Sequence, residues 1–374
     1  MRAALKVLIA PDKFKGTLSA QAAASAMARG WSQVRPDDSL LLLPMSDGGE
    51  GFGEVMGRLL GAEAQAVQTM DAAHRPVSVE WWREQGTATA IIESAAATGL
   101  SLLPPGKFHP FELDTFGLAA VLRAAACAGA KRCLVGIGGS ATNDGGFGVA
   151  CGLGWHFFDE MEKEIERWTD LQTLTRVQAP NSARLFEELT VAVDVQNPLL
   201  GPSGCTRVFG PQKGLRQSEF EFPERCLAQL AAVTRDQIGS DFAAEPGSGA
   251  AGGLGFGLRA FAGAKLKSGF ELFSHYADLV AQVKGAQVVL TGEGRVDEQT
   301  FMGKGVGKLG EMCRDASVPC IAIAGEISIE TPPRQRFHRT YALAPELTSG
   351  EKALVEPDVW LTKAAAHAAR EVSG

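Results

Sequence analysis

Residues 6–16, KVLIAPDKFKG, and residues 40–51, LLLLPMSDGGEG, share one pattern: a short apolar run leads into a loop that carries acid, with lysine or glycine beside it. An alanine-rich helical stretch follows the first loop, and the helical segment EVMGRLL follows the second. Strand, loop and helix in this repeated order are typical of a parallel sheet. The pattern returns near the C-terminus, where apolar runs at 287–290, 319–324 and 340–343 end in TGEGRVDEQT, GE and APE. We therefore predict one mainly parallel sheet built from both ends of the chain.

The middle of the chain has a different character. Residues 66–94 alternate apolar and polar side chains with period two, which is typical of antiparallel strands around a turn. A helix, a short strand and several glycine-rich loops follow. The predicted fold class is α/β with two domains: a discontinuous parallel-sheet domain of residues 1–65 and 286–374, and a mixed α/β domain of residues 66–285 inserted into it.

The composition excludes several classes of protein. The chain has 374 residues and is 45% hydrophobic, which excludes a disordered chain. Its net charge of −7 gives no sign of the basic surface that nucleic-acid binding requires. No apolar run approaches the about 20 residues that a membrane helix needs. Seven cysteines without CxxC spacing indicate buried free thiols, with Cys127 and Cys133 in apolar surroundings. We expect a soluble, cytoplasmic protein that binds neither nucleic acid nor membrane.

The segment GIGGSATNDGGFG, residues 136–148, is the most informative loop. It follows a short apolar strand, and its successive N–H groups, together with the hydroxyls of Ser140 and Thr142, could face one anion. The same segment contains G-x-G-x-x-A, so a nicotinamide-dependent oxidoreductase is an alternative. That signal is weak, because residues 255–260 match the pattern as well. The loop therefore predicts a phosphate site more strongly than a dinucleotide site.

Acids recur beside glycine where apolar runs end, and lysines accompany them. The acids are Asp12, Asp47, Asp194, Glu293 and Asp297, and the lysines are Lys13, Lys15, Lys213 and Lys304. Carboxylates that hold Mg²⁺ or accept a hydroxyl proton, together with cations that neutralise phosphate oxygens, suit phosphoryl transfer. In an open parallel sheet these loops should converge where the strand order reverses. A kinase acting on a small molecule is therefore favoured over a non-catalytic binding protein, which would not need so many placed carboxylates.

At this point the sequence resembles the type-1 glycerate kinases of bacteria. The motifs that carry the resemblance occur in the family's order: IAPDKFKGTLSA, PMSDGGEG, ESAAATGL, GIGGSATNDGGFG, DVQNPLLG, VFGPQKG, PGSGAAGGLG and TGEGRVDEQTFMGKG. The resemblance implies a flavodoxin-like domain with a second domain inserted and the active site between them. It also implies ATP-dependent phosphorylation of a hydroxyl of D-glycerate with Mg²⁺, with 2-phosphoglycerate favoured as the product. The residues themselves leave the choice between the 2- and 3-hydroxyl open.

The resemblance and the residue chemistry together give the expected site. Catalytic roles are expected for Asp194, Asp47, Lys13 and Lys15, and either aspartate could be the base. Binding of phosphate or nucleotide is expected from Gly138, Gly139, Ser140, Thr142, Asn143 and Lys304. Substrate contacts are expected from Asp12, Ser46, Gly48, Gly49, Asn197 and Lys213, and metal contacts from Glu293 and Asp297. Ser46, Phe52 and Ser248 depart from the family pattern, and these departures concern the substrate range rather than the activity. A homodimer stays open.

Overall fold

The computed structural model describes residues 3–181, 184–301, 305–328 and 336–372. The strands, in chain order, are β1 (Lys6–Ile9), β2 (Ser39–Leu42), β3 (Glu63–Met70), β4 (Pro76–Glu84), β5 (Thr89–Glu93), β6 (Arg132–Gly136), β7 (His156–Asp159), β8 (Leu174–Gln178), β9 (Glu188–Val193), β10 (Lys265–Ser268), β11 (Val288–Asp297), β12 (Cys320–Ser328) and β13 (Arg339–Ala344). The helices are α1 (Ala20–Val34), α2 (Phe52–Leu59), α3 (Ala95–Thr98), α4 (Leu118–Cys127), α5 (Phe147–Gly152), α6 (Cys205–Phe209), α7 (Glu221–Ile238), α8 (Ala250–Phe261), α9 (Gly269–Tyr276), α10 (Leu279–Gly285), α11 (Glu298–Phe301), α12 (Gly305–Asp315), α13 (Gly350–Val355) and α14 (Pro357–Glu371).

The chain divides into two compact units. The discontinuous unit comprises Met1–Asp47 and Phe270–Gly374, and the inserted unit comprises Gly48–Gly269. The boundaries expected from the sequence lie at 65 and 285, whereas helix α2 already belongs to the inserted unit, because it packs closely on Trp82 of β4. Whether these units are domains that fold separately stays a prediction.

The discontinuous unit contains the parallel sheet predicted from both ends of the chain. All its strand pairs are parallel, in the order β13-β12-β11-β1-β2. Counted along the unit, the order is 2-1-3-4-5, which is the flavodoxin-like order of doubly wound α/β sheets. The strand order reverses between β1 and β11, so the switch point lies at the carboxyl ends of these two strands. The α/β fold class is confirmed.

Apolar helix faces cover this sheet. On one face, Ala23, Met27 and Trp31 of α1 and Leu361 of α14 pack on strand residues such as Ile9 in one buried cluster. Helices α10 and α12 contact β1, β11 and β12. Ser19 caps α1 because its hydroxyl accepts the Ala22 N–H at 3.2 Å. The carboxyl edge is thus left as the place where functional loops emerge.

One local prediction was wrong. TGEGRVDEQT was expected to be a loop after the strand, yet β11 continues to Asp297 and pairs with β12 as far as Ser328. Gly294 and Gly325 make this extension possible, since a Cβ on Gly325 would lie 2.5 Å from the Gly294 carbonyl oxygen. The long-range pairing therefore sets the strand length, which local pattern does not.

The inserted unit is built on a six-stranded mixed sheet. Its order is β10-β9-β6-β5-β4-β3, with β10, β9, β6 and β5 parallel and the β5–β4 and β4–β3 pairs antiparallel. The antiparallel strands predicted for residues 66–94 are therefore confirmed. Helices α4 and α8 contribute to the core over this sheet, and a second core lies around α5, α6 and α7.

Three further features qualify the sequence reading. Trp81 is buried in the core, and Trp82, the other member of the pair, lies against α2. The seven cysteines are free, but Cys127 is exposed rather than buried. Within the described ranges, no helix has both the length and the apolar character to cross a bilayer.

Candidate active site

Three acids converge at the carboxyl edge of the discontinuous unit's sheet, as their sequence positions predicted. Asp12 follows β1, Asp47 follows β2, and Glu293 lies in the carboxyl half of β11. Because β2, β1 and β11 are neighbours, the three side chains line one cavity of about 630 Å³. This cavity lies at the switch point of the sheet, where ligands of doubly wound proteins bind.

Asp12 is a buried carboxyl group in this cavity. Its backbone N–H donates to the Gly292 carbonyl at 2.8 Å, and its Oδ1 accepts the Lys13 N–H at 2.7 Å. Burial, and next the nearby charge of Asp47, raises the pKa of Asp12 to about 8. A cation placed beside such a carboxyl group strongly stabilises its ionised form.

The two lysines of the first loop take different positions. Lys13 is partly buried, and its Nζ lies 4.0 Å from Oδ1 of Asp47. Lys15 is exposed at the margin of the same cavity. Lys13 can neutralise the acid cluster, and Lys15 can reach an anion that enters from solvent.

Glu293 and Asp297 are connected through one threonine. The Thr300 hydroxyl donates to Oε1 of Glu293 at 2.8 Å, and the Thr300 N–H lies 3.4 Å from Oδ1 of Asp297. In the part of the chain that the structure describes, no three His, Cys, Asp or Glu side chains are grouped closely enough to hold a metal by themselves. Oxygen donors of this kind suit Mg²⁺, which is usually held by one or two carboxylates together with substrate phosphates and water. The residues therefore fit a magnesium ion that arrives with a nucleotide.

Sequence reasoning missed part of this cavity. Its apolar wall consists of residues from the end of β13 and from α13 and α14: Leu343, Ala344, Pro345, Ala353, Leu354 and Pro357. Arg295 and Glu326 lie on the polar side, with Arg295 donating to the Ser328 hydroxyl at 3.1 Å. The segments TGEGRVDEQT and APE carried a signal for loops here, but the apolar wall exists only through tertiary packing.

The raised pKa of Asp12 predicts a pH-dependent stability. Between about pH 4 and 8, the folded protein holds a proton on Asp12 that the unfolded chain releases. Asp12 therefore lowers the free energy of unfolding as pH rises through this window, by at most about 1.4 kcal/mol per pH unit. Thermal unfolding of the wild type and of Asp12→Asn from pH 5 to 9 should show the wild type losing stability relative to the variant up to pH 8 and in parallel with it above. Parallel curves throughout would contradict the assignment.

In the inserted unit, the segment Gly48–Gly49 lies across the loop that follows β6. The Gly138 N–H donates to the Gly48 carbonyl at 3.0 Å, and a Cβ on Gly138 would lie 2.6 Å from Cα of Gly49. Glu93 at the end of β5 accepts the N–H groups of Gly51 and Gly53. Glycine is thus required here by close backbone approach rather than by flexibility.

The hydrogen bonding of the loop leaves a small set of N–H donors. The Ser140 and Thr142 hydroxyls lie 2.9 Å apart and are buried, and the Thr142 N–H donates to the Ser140 hydroxyl. Within the described residues, the N–H groups of Gly139 and Ser140 donate no hydrogen bond. Gly139 is exposed, with φ of +81°. An anion at this loop would therefore meet the Gly139–Ser140 amides first.

Asp144 has a structural role that its place in the loop did not indicate. It is buried and accepts hydrogen bonds from the Thr115 N–H and hydroxyl and from the Gly146 and Gly148 N–H groups, at 2.7–3.2 Å. Burial, opposed by these hydrogen bonds, raises its pKa to about 6. Asp144 joins the start of α5 to the loop before α4.

Lys213 and Asn143 are also buried beside this loop. Lys213 Nζ donates to the Thr142 carbonyl at 2.6 Å, and burial lowers its pKa to about 8. The Asn143 amide donates to the Thr206 hydroxyl at 3.0 Å, while its buried Oδ1 has no partner among the described residues. Lys213 therefore stabilises the loop by a hydrogen bond to its backbone, and a direct contact with substrate stays a prediction.

The remaining predicted residues fall in three places. Asp194 follows β9 and is exposed, close in sequence to Asn197, whose amide donates to the Ser203 carbonyl at 2.8 Å. Ser46 is buried in the discontinuous unit next to Asp47. Lys304 lies outside the described residues.

The two remaining departures from the family pattern have local explanations. Phe52 is buried, and a Cβ on Gly136 would lie 2.5 Å from its ring. The Ser248 hydroxyl donates to the Phe242 carbonyl at 2.5 Å. Neither side chain lines the cavity of the acids.

A doubly wound sheet with carboxylates and a lysine at its switch point defines an α/β protein equipped to handle a charged ligand. The sequence profile of the glycerate kinase family matches residues 7–373, and the chain belongs to that family. A protein named glycerate kinase from Halalkalibacterium halodurans is 36% identical over 364 residues, which cover 96% of either chain. A protein named glycerate 2-kinase from Escherichia coli (strain K12) is 37% identical over 328 residues, which cover 87% of this chain and 86% of that one.

A solved structure agrees with this assignment. The crystal structure of a protein from Salmonella typhimurium LT2 assigned as a glycerate kinase 2 superposes with a TM-score of 0.81 and 32% sequence identity, covering 99% of each chain. The chain is therefore an enzyme, a transferase of the kinase type.

Proposed function

We propose that the protein transfers the terminal phosphoryl group of ATP to the 2-hydroxyl of D-glycerate, with Mg²⁺, to give 2-phosphoglycerate. The observation that carries the proposal is the cavity at the switch point, which combines Asp12, Asp47, Glu293 and Lys13 with an apolar wall. A relative at 37% identity is named glycerate 2-kinase, which supports the 2-hydroxyl.

The two sides of the cavity suit two parts of a nucleotide. Its polar side offers carboxylates that can hold Mg²⁺ and cations that can neutralise phosphate oxygens. Its wall around Leu343, Pro345 and Leu354 offers apolar surface for a purine ring. We assign the purine to this wall and Mg²⁺ on the phosphates to Glu293 and Asp297.

The glycine-rich loop of the inserted unit offers N–H donors that suit a phosphate group. The Gly139 and Ser140 amides can stabilise the charge that spreads over the transferred oxygens. Lys213 donates to the Thr142 carbonyl and so helps to keep the loop in the conformation in which these amides are without acceptors among the described residues. In phosphoryl transfer such positioning and charge neutralisation account for most of the catalysis.

The base is assigned to Asp47 or Asp194. Asp194 follows β9 directly and Asp47 lies in the loop after β2. A carboxylate within hydrogen-bond reach of the glycerate hydroxyl accepts its proton as the new bond forms. Asp47 has the Nζ of Lys13 at 4.0 Å from its Oδ1, while Asp194 is exposed.

The direct test is ADP release with D-glycerate and ATP, with and without Mg²⁺. We expect turnover only when all three are present, and turnover that persists after metal removal by a chelator would contradict the magnesium assignment. The product's phosphorus resonance separates the two hydroxyls, because a 2-phosphate couples to one methine proton and a 3-phosphate to two methylene protons. A triplet in place of the expected doublet would overturn the 2-hydroxyl assignment.

Leu354→Gln tests the purine wall. Leu354 lines the cavity and is 67% exposed, and its neighbour Val355 is 75% exposed but does not line it. Loss of apolar contact from Leu354 should raise the KM for ATP by about 3- to 30-fold, while Val355→Gln should leave it unchanged. The KM for D-glycerate should stay the same in both variants. Equal effects of the two substitutions on the KM for ATP would contradict the location of the wall.

A further inference from the structure

A second cavity lies in the inserted unit. Its volume is about 450 Å³, within the range of about 300–1,000 Å³ that is typical of ligand pockets. Its aromatic lining consists of Trp155, Phe186, Phe242 and Phe261. Phe186 belongs to the core over the sheet and Phe261 to the second core, so the cavity opens where these two cores meet.

The cavity lies at the amino-terminal edge of the sheet. Phe186 lies two residues before β9, and Gly263 lies two residues before β10. The loop at Gly139 and the residue Asp194 follow the carboxyl ends of β6 and β9. A strand of six residues separates these edges by roughly 20 Å. A ligand in this cavity would therefore not overlap a phosphate held by the glycine-rich loop.

The charges that line the cavity have one sign. Among the residues that the structure describes, Arg123, Arg184 and Arg259 contribute to its wall, and no aspartate or glutamate does. Arg259 is already paired with Glu245 at 2.9 Å, and its guanidinium lies 4.3 Å from the centre of the Phe242 ring. In the stretches that the structure describes, neither Arg123 nor Arg184 has an ion-pair partner.

The two unpaired arginines differ in how they are held. The Nε of Arg123 donates to the Gly152 carbonyl at 3.0 Å, which fixes its stem and leaves its other N–H groups directed elsewhere. Arg184 makes no hydrogen bond to the described residues and packs over Gly263. Guanidinium groups bind carboxylate, sulfonate and phosphate with paired N–H donors.

We propose that this cavity binds an organic anion with a flat apolar body. The body lies between the aromatic side chains, and the anionic group meets Arg123 and Arg184. The chain as a whole carries a net charge of −7, so its overall electrostatic field does not attract an anion. The attraction must therefore come from the arginines that line the cavity. The site is separate from the proposed kinase chemistry and does not depend on it.

The test uses 2-naphthoate as the probe and titration calorimetry of the full chain as the measurement. We expect saturable binding at one site per chain, with 2-naphthalenemethanol and inorganic phosphate each binding at least about tenfold more weakly, because each lacks half of the recognised chemistry. Saturating MgATP or D-glycerate should leave the affinity for 2-naphthoate unchanged. Displacement by either one, or absence of saturable binding, would overturn the proposal.

Variants locate the binding. Arg123→Gln with Arg184→Gln should weaken 2-naphthoate binding roughly 10- to 100-fold. Arg225→Gln is the matched control, since Arg225 is an exposed arginine of α7 that does not line the cavity. If loss of the Arg123 hydrogen bond lowers the unfolding temperature, the single variant Arg184→Gln is used instead. Its affinity for 2-naphthoate should be roughly tenfold lower than that of the wild type. Equal affinity of the Arg184 and Arg225 variants would place the anion elsewhere and overturn the proposal.

Discussion

Replacing the base by asparagine should reduce kcat by about 10²- to 10⁴-fold, because asparagine keeps the shape of the side chain but accepts no proton. The candidates are Asp47 and Asp194, each at the carboxyl end of a parallel strand. The loss should appear in kcat for D-glycerate and MgATP with little change in the unfolding temperature. A variant that instead raises KM at constant kcat would identify a binding residue.

The two variants need a control of equal charge. Asp37→Asn removes one exposed carboxylate of the discontinuous unit that lines no part of the cavity, and kcat should not change. If Asp47→Asn and Asp194→Asn both keep near-normal turnover, neither residue is the base. If kcat falls in only one of the two variants, the residue replaced in that variant is the base.

The second large effect concerns the packing of the glycine-rich loops. In Gly252→Ala, the new Cβ would lie 1.9 Å from the Thr142 carbonyl oxygen, and the residue would keep φ of +68°. Left-handed backbone and overpacking together should lower the free energy of unfolding by about 2–5 kcal/mol. The Thr142 carbonyl also accepts the Lys213 hydrogen bond, so MgATP binding should weaken with it.

Gly201→Ala separates strain from collision. Gly201 has φ of +89°, but a Cβ there meets no atom within 4 Å. The variant should lose only about 1–2 kcal/mol. Thermal or urea unfolding of both proteins measures the difference, and equal losses would show that the contact between Gly252 and Thr142 carries no energy of its own.

The sequence predicted the fold where local pattern and tertiary structure agree. Apolar runs ending in polar loops identified β1, β2 and β12, and the carboxyl ends of parallel strands brought Asp12 and Asp47 to one cavity. The full length of β11 could not be predicted, because its last residues are held by pairing with β12.

Burial was the harder property to predict in the candidate site. Lys213 and Asp144 lie in loops rich in glycine, a context typical of exposed ligand contacts, but both are buried and bonded to the backbone. The aliphatic wall at Leu354 was missed for the opposite reason. Its residues are ordinary helix and strand positions, and only packing turns them towards one space.

The strand order of the discontinuous unit also has a consequence for the growing chain on the ribosome. β1 is an interior strand, and its register aligns Val7 with Val288. Its pairing with β11 spans 281 residues. At about 5–20 residues per second, the partner strand is synthesised about 14–56 s after β1. During that interval one edge of an apolar strand has no native neighbour, and such an edge is a template for wrong pairing. The nascent protein is therefore most in need of chaperone protection while the inserted unit is being made.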